Sequence, residues 1–383
     1  MVSNWEEKFL DELCIKISAG GDKPNSFSKI KTDKLNIPVY SNGIELNSLQ
    51  GYTDKATITE NAVTISARGT IGFICKRLEP YCPIVRLISV IPKDDIYLDF
   101  LYYALHLMIC NNSGSSIPQL TVPQLKKNKI KYPKNIDEQK RIAAKLDDAF
   151  QKIEALENNT KENIKNIEDL YNSYLNRIFN ENTDDWEEKI FDKVCNIYTG
   201  NSINANIKKQ KYSNLDDGYN YIATKDISFS NVINYENGIK IPKNEDKFKI
   251  APKNSILLCI EGGSAGRKIG ILKEDVCFVN KLCAFVIKDK YLNHMFVYYY
   301  LQSSKFKQIF YDNKTGLIGG VSLNKLKKIP IAFPKIEEQK KIVDKLDIFN
   351  NKIQTIKQNY QNKLTLLDNL KKSILNKAFK GEL

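Results

Sequence analysis

Residues that commonly build catalytic centres are scarce in this sequence. There are only two histidines, His106 and His294, each beside aromatic or aliphatic neighbours, so a histidine-based metal or acid–base site is poorly supplied. Eight cysteines are present, yet no C-x-x-C pair or zinc-ligand spacing occurs. Cys14, Cys75, Cys259 and Cys283 lie among apolar residues and read as buried free thiols of a reducing compartment. Neither a G-x-x-x-x-G-K-[ST] phosphate loop nor a G-x-G-x-x-G fingerprint is found. The nearest glycine cluster, Gly262-Gly263-Ser264-Ala265-Gly266, interrupts strand-like runs and reads as a loop or bulge. The [ND]-P-P-[FYW] signature of amino-methyltransferases is also missing. E-x-K strings begin at Glu138 and Glu338, but they open helices, whereas nucleases carry that motif on a strand facing a metal. No apolar segment follows a charged start, and no apolar run is long enough to span a bilayer. These absences predict a cytoplasmic chain with no membrane partner, no cofactor and no metal.

What is abundant is positive charge. Lysine and arginine number 58 against 45 acids, a formal charge of +13. Such a balance favours a polyanionic partner, because phosphate neutralisation releases counterions; solvated lysines alone are the other reading. At 383 residues the chain suits two domains.

The chain also repeats itself. W-E-E-K begins at Trp5 and again at Trp186, followed in step by Asp11 and Cys14, then Asp192 and Cys195. Leu125-Lys126-Lys127 matches Leu326-Lys327-Lys328. Y-P-K-N-I-D-E-Q-K-R-I from Tyr132 matches F-P-K-I-E-E-Q-K-K-I from Phe333, and L-N-R-I-F from Leu175 matches L-N-K-A-F from Leu375. Similar blocks in one order mark a duplicated domain pair, the unit being far longer than a solenoid repeat.

Each half has two textures. The first is mixed α+β, with turn signals at Asn42-Gly43 and Asn237-Gly238. The runs from Val63, Pro83, Ser255 and Phe278 read as buried strands, and those from Tyr97 and Tyr291 as helices. The second opens with Pro133 or Pro334 and a pair of acids, a helix start, and then holds no Gly or Pro until Gly381. Apolar residues there alternate in steps of four and three, a coiled-coil seam. They include Ile142, Leu146, Ile153, Leu156, Ile164 and Ile167, then Ile342, Leu346, Ile353, Ile356, Leu364 and Leu367. Thr160 and Tyr360 fall between successive steps of four, which predicts a stutter. Each helix should run about 43 residues, roughly 65 Å, and each supplies the other's missing partner, antiparallel about a pseudo-twofold axis. The fold class is therefore α+β: two pseudo-repeated globular domains, residues 1–135 and 184–335, separated by long helices, 136–183 and 336–383, in an antiparallel coiled coil that puts the globular domains at opposite ends of a rod.

The candidate DNA contacts lie in loops. Arg68, Gly69 and Thr70 stand between two strand-like runs; Arg267 and Lys268 take the corresponding place in the second half, each copy followed by Ile-Gly. Glycine admits close approach of a phosphate, and an arginine fork matches guanine or phosphate oxygens. A solvated hairpin tip is the alternative. Ser115, Ser116 and Gln119, and Lys314 and Thr315, form polar loops after the inner helices; Tyr221, Thr224 and Lys225 form another candidate.

W-E-E-K, A-R-G-T-I-G, G-S-S-I-P-Q-L-T with P-Q-L-K-K, and P-x-x-x-E-Q-x-x-I opening a long helix resemble, in that order and over essentially the whole chain, the specificity subunit of type I restriction–modification systems. The second half departs in its loops, with G-G-S-A-G-R-K-I-G and G-L-I-G-G-V-S-L, which suggests a different half-site. The resemblance implies two target-recognition domains, each reading half of a bipartite site in double-stranded DNA. The paired helices would set the gap and dock two methyltransferase subunits, with a motor endonuclease subunit able to join. Methylation and cleavage would then belong to the partners. A specificity chain for a fused methyltransferase–nuclease of another restriction type, a coiled-coil adaptor that does not bind DNA and a stand-alone nuclease are the alternatives.

Overall fold

The computed structural model describes residues 5–112, 119–181, 185–316 and 319–383, side chains of 110–112 excepted. The chain forms two compact units, Met1–Glu162 with Tyr360–Leu383, and Asn163–Asn359.

In the first unit the W-E-E-K segment is a strand, Trp5–Phe9, antiparallel to Lys129–Pro133, with Trp5 opposite Pro133. It fastens the start of the globular part to the segment that enters the long helix. An antiparallel sheet has the order Cys14–Ala19, Ile88–Pro92, Ala62–Ile65, Ile74–Arg77. A second sheet has the order Leu49–Thr53, Ile37–Tyr40, Cys82–Pro83, its last two strands parallel. Val63, Ile65 and Val90 of the sheet pack with Phe100, Leu101 and Leu105 of the helix Leu98–Asn112. Ile142, Leu146, Leu375 and Phe379 of the long helices complete that core.

The second unit repeats the plan. Glu187–Ile190 pairs with Pro330–Phe333. One sheet has the order Cys195–Thr199, Leu282–Ile287, Ile256–Cys259, Ile269–Ile271. The other has the order Lys240–Ile241, Tyr219–Ile222, Val276–Phe278, Ile250–Ala251, with the middle two parallel. Its core again takes in both long helices, through Leu175, Phe179, Val343 and Leu346.

Two of the expected strands need correction. The runs from Pro83 and Phe278 are not single strands. In each the chain leaves one sheet, turns, and enters the other: Cys82–Pro83 to Ile88–Pro92, and Val276–Phe278 to Leu282–Ile287. The first turn forces Val85 and Arg86 to φ of 52° and 62°; Leu282 N–H donating to the Val279 carbonyl at 3.0 Å closes the second. Both flanking strands are buried and apolar, so the short polar interruptions, Arg86 in one run and Asn280-Lys281 in the other, are easily read through. The helix expected from Tyr291 is His294–Tyr300, and a break separates it from a further helix, Ser304–Asp312. Ser303 makes the break: its hydroxyl donates to the Tyr300 carbonyl at 2.7 Å and accepts from Phe306 N–H at 3.3 Å, capping the next helix.

The long helices span Ile136–Asn180 and Ile336–Phe379. The glutamine of each E-Q-K is fully buried at the helix entry. Gln139 donates to the carbonyls of Asp95 (3.0 Å) and Pro133 (2.9 Å) and accepts from Tyr97 N–H (2.8 Å). Gln339 does the same with Tyr291 (2.8 Å), Pro334 (2.7 Å) and Asn293 N–H (2.8 Å). The motif is a structural staple.

Within each unit the two helices run antiparallel. In the first, Glu157 meets Lys371 at 2.8 Å while Ile142 and Leu146, nearer the first helix's start, share a cluster with Leu375 and Phe379. In the second, Glu168 meets Lys357 at 2.6 Å, and Tyr174 packs on Phe349 with ring centroids 4.5 Å apart.

Most of the expected seam is buried or half-buried: Ile142, Leu146, Ile153, Ile164 and Ile167, and Ile342, Leu346, Ile353, Leu364 and Leu367. Leu156 and Ile356 are not; they are 43% and 41% exposed. The inward positions are instead Glu157 and Lys357, both ion-paired across the seam. The steps from Ile153 through Glu157, Thr160, Ile164 and Ile167 alternate four and three without interruption, so the expected stutter at Thr160 disappears. Thr160 is buried and donates its hydroxyl to the Leu156 carbonyl at 2.6 Å. A charged residue at a seam position displaced the apolar pattern by one residue, and the displacement looked like a stutter.

Candidate nucleic-acid interface

In the first unit the loop 66–73 joins the antiparallel strands Ala62–Ile65 and Ile74–Arg77. Arg68 projects from it, exposed, and donates to the Gln119 side-chain oxygen at 3.0 Å. The two loops are also joined along the backbone, by Leu120 N–H donating to the Ala67 carbonyl at 3.0 Å. Asn42 holds the base of the loop: its side-chain oxygen accepts from Ala67 N–H at 2.7 Å and its amide donates to the Val85 carbonyl at 2.7 Å. Gly69 has φ +67° with open space where a Cβ would point, and Thr70 is exposed. Two candidates far apart in sequence, Arg68 and Gln119, are therefore neighbours on a braced loop. Ser115 and Ser116 lie outside the described residues.

In the second unit the loop 260–268 carries the corresponding charge differently. Arg267 is exposed, donates to the Gly263 carbonyl, and stands 5.1 Å from the centre of the Phe229 ring. Lys268 is half-buried; its ammonium donates to the Thr224 carbonyl at 3.0 Å and lies 5.0 Å from the same ring. Thr224 contributes only that carbonyl, since its hydroxyl is buried; Lys225 beside it is exposed. Tyr221 is a core residue whose hydroxyl donates to the Asn201 carbonyl at 2.6 Å, so it presents nothing to a ligand. Thr315 spends its hydroxyl on the Gly320 carbonyl (3.1 Å), Lys314 next to it is half-buried, and Gly320 pairs with Glu261 to tie this loop to the first.

The expected equivalence of Arg68 with Arg267 and Lys268 fails. In the sheets Ile65 faces Ile74, and Leu258 faces Ile269. Ile71-Gly72 thus belongs to a loop and Ile269-Gly270 to a strand, and their likeness is coincidental. Gly72 N–H donates to the Ser66 carbonyl (2.9 Å) as Gly266 N–H does to that of Cys259 (2.8 Å), and these two glycines share φ of +86° and +73°. By the same register Leu120 N–H on Ala67 matches Val321 N–H on the Ile260 carbonyl (3.0 Å), which makes Glu261 the counterpart of Arg68. Arg267 and Lys268 occupy the opposite limb of the loop.

Phe229 leaves no signal in the sequence. In S-F-S-N it has no apolar periodicity, and only its exposure in a basic neighbourhood singles it out. Among the described residues no cluster of three or more His, Cys, Asp or Glu is arranged to hold a metal ion, and no helix is long and apolar enough to cross a membrane.

The family model described as the type I restriction modification DNA specificity domain matches this chain twice, over residues 2–166 and 183–366. The chain belongs to this family. The two matches coincide with the duplicated halves. A chain of Mycoplasma pneumoniae named as a type I specificity subunit is 34% identical over 183 residues, 47% of this chain and 54% of that relative. This chain thus spans about half the length of that relative. The EcoBI specificity subunit of Escherichia coli is 24% identical over 335 residues, 76% of this chain and 67% of the relative. A chain in a solved structure of a type I restriction–modification system superposes with a TM-score of 0.76 at 18% identity, covering 100% of this chain and 99% of its own, so the fold is shared.

Proposed function

We propose that this chain is the DNA-reading subunit of a type I restriction–modification complex and has no catalytic activity of its own. Residues 1–135 and 184–335 each read one half of a bipartite target in double-stranded DNA. The helices over 136–183 and 336–383 set the gap between the half-sites and dock two methyltransferase subunits, to which restriction subunits can add. The observation that carries this reading is one topology used twice with different side chains on the same loops. Arg68 and Gln119 mark the first, Arg267, Lys268 and Phe229 the second. Repetition of the scaffold with divergence of the loops is what two independent half-site readers require, because base contacts specify while the scaffold only positions. Arg68, Gly69, Thr70, Gln119, Lys225, Arg267 and Lys268 are the proposed contacts. Lys314 and Thr315 belong to the bracing loop, and Thr224 anchors Lys268.

Methylome sequencing of the host with and without the gene tests the reading. One methylated motif, split by a fixed gap, should vanish on deletion. An unchanged methylome would refute it.

A further inference from the structure

In the second unit a hairpin tip follows the strand Tyr219–Ile222. Its base is closed by the Ile227–Ile233 bridge, and within it Ser228 accepts from Val232 N–H at 3.0 Å. Asn231, at φ 64°, donates its amide to Gln302 at 2.9 Å and so fixes the tip to the helical layer. This braced tip turns its two large apolar side chains outward: Phe229 is 62% exposed and Val232 64%. A single exposed apolar side chain is ordinary, but a fixed tip that holds two of them outward presents an apolar surface to a partner. Here the ring is flanked by Arg267 and Lys268, which would repel a basic partner and attract a polyanion.

The first unit repeats the arrangement with other residues. Tyr40 and Ile222 are equivalent, since Ile84 N–H donates to the first carbonyl and Val279 N–H to the second, both at 2.9 Å. The loop after Tyr40 also turns an apolar residue outward: Leu46 is 82% exposed. This loop is likewise tied to the neighbouring basic loop, through Asn42 to Ala67 and Gly43 N–H to the Ser66 hydroxyl at 3.3 Å. An apolar tip braced beside a cationic loop thus occurs twice at the same place in the fold.

We infer that Phe229 is a base-step wedge: its ring enters the stack of the second half-site and partly unstacks one step while Arg267 and Lys268 hold the flanking phosphates. Cations beside an apolar side chain suit this task, because phosphate contacts offset the cost of unstacking, and the sequence dependence of that cost becomes part of the readout. The inference rests on the proposed DNA-reading function.

The test uses the full chain assembled with its methyltransferase subunits, and duplexes selected by the wild-type assembly from a random pool. Phe229→Ala should weaken binding about ten-fold or more, within the range of an aromatic base contact, and flatten selection at one or two adjacent positions of one half-site. The other half-site should be unchanged. Phe229→Trp should restore both affinity and pattern. With 2-aminopurine at the affected step, fluorescence should rise on binding by wild type and F229W, and not by F229A. Because the side chain is exposed, F229A should melt like wild type. Wild-type-like affinity, selection and fluorescence in F229A would overturn the wedge, as would a variant that binds DNA normally but loses its subunits. Failure of the wild-type assembly to select any duplex would instead overturn the DNA-reading function, and the wedge with it.

Discussion

Gln139 and Gln339 sit inside charged, solvent-like strings, yet each is fully buried with its amide hydrogen-bonded to backbone at both ends. Truncation leaves buried backbone carbonyls and an amide without partners. Gln139→Ala should therefore lower unfolding free energy by about 1–3 kcal/mol or more, read by denaturant melts. A change below a few tenths would contradict the staple. Arg68 was legible because Arg-Gly between strands is a local signal. Its partnership with Gln119 was legible only as two separate candidates, since loop proximity is tertiary. Arg68→Ala should cost roughly 1–3 kcal/mol and relax one base if the fork reads guanine; if it holds phosphate, affinity should fall evenly and the salt slope drop by about one. Unchanged affinity and slope would return Arg68 to a solvated tip. His106 supplies a pH prediction. Burial, helped by the Lys371 ammonium, pushes its imidazole down to about 4 from 6.5. Between those values the unfolded chain takes up a proton that the folded one refuses, so stability falls as pH drops through that window, by up to about 3 kcal/mol. His106→Gln should lose less stability than wild type from pH 7 to 4; equal losses would contradict the assignment.

Among the elements, the long helices were the most legible, because four turns or more of one period outweigh any single exception. The exceptions misled where one charged residue occupied the seam: Glu157 and Lys357 shifted the apparent pattern to Leu156 and Ile356. The contrast gives a paired test. An Ile153→Asp/Ile353→Asp double variant buries unpaired charge and should lose about 3 kcal/mol or more. Leu156→Asp, at an exposed position, should change stability by less than about 1 kcal/mol. If the first variant melts like wild type, or the second collapses, the observed seam is wrong. Strands were legible as apolar runs and not as boundaries, since the crossing between two buried sheets is marked only by Arg86 in one run and by Asn280-Lys281 in the other. The broken helix at Ser303 depends on a cap that periodicity cannot see.

For the whole molecule, the duplication was the strongest signal, since repeated blocks require no knowledge of contacts. What the repeat could not give was register inside the divergent loops, where a shared Ile-Gly aligned a loop with a strand. That lost register separates Arg68 from Arg267 and leaves the two units with different side chains on corresponding loops of one scaffold. The central claim is that each surface reads its own half-site. The most direct measurement replaces residues 184–335 with the equivalent region of a relative that methylates a different motif and sequences the methylome of a host carrying the exchanged chain. A hybrid motif is expected, with one half-site and the gap length kept and the other half-site taken from the donor. A change in both half-sites, or the original motif unchanged, would contradict it.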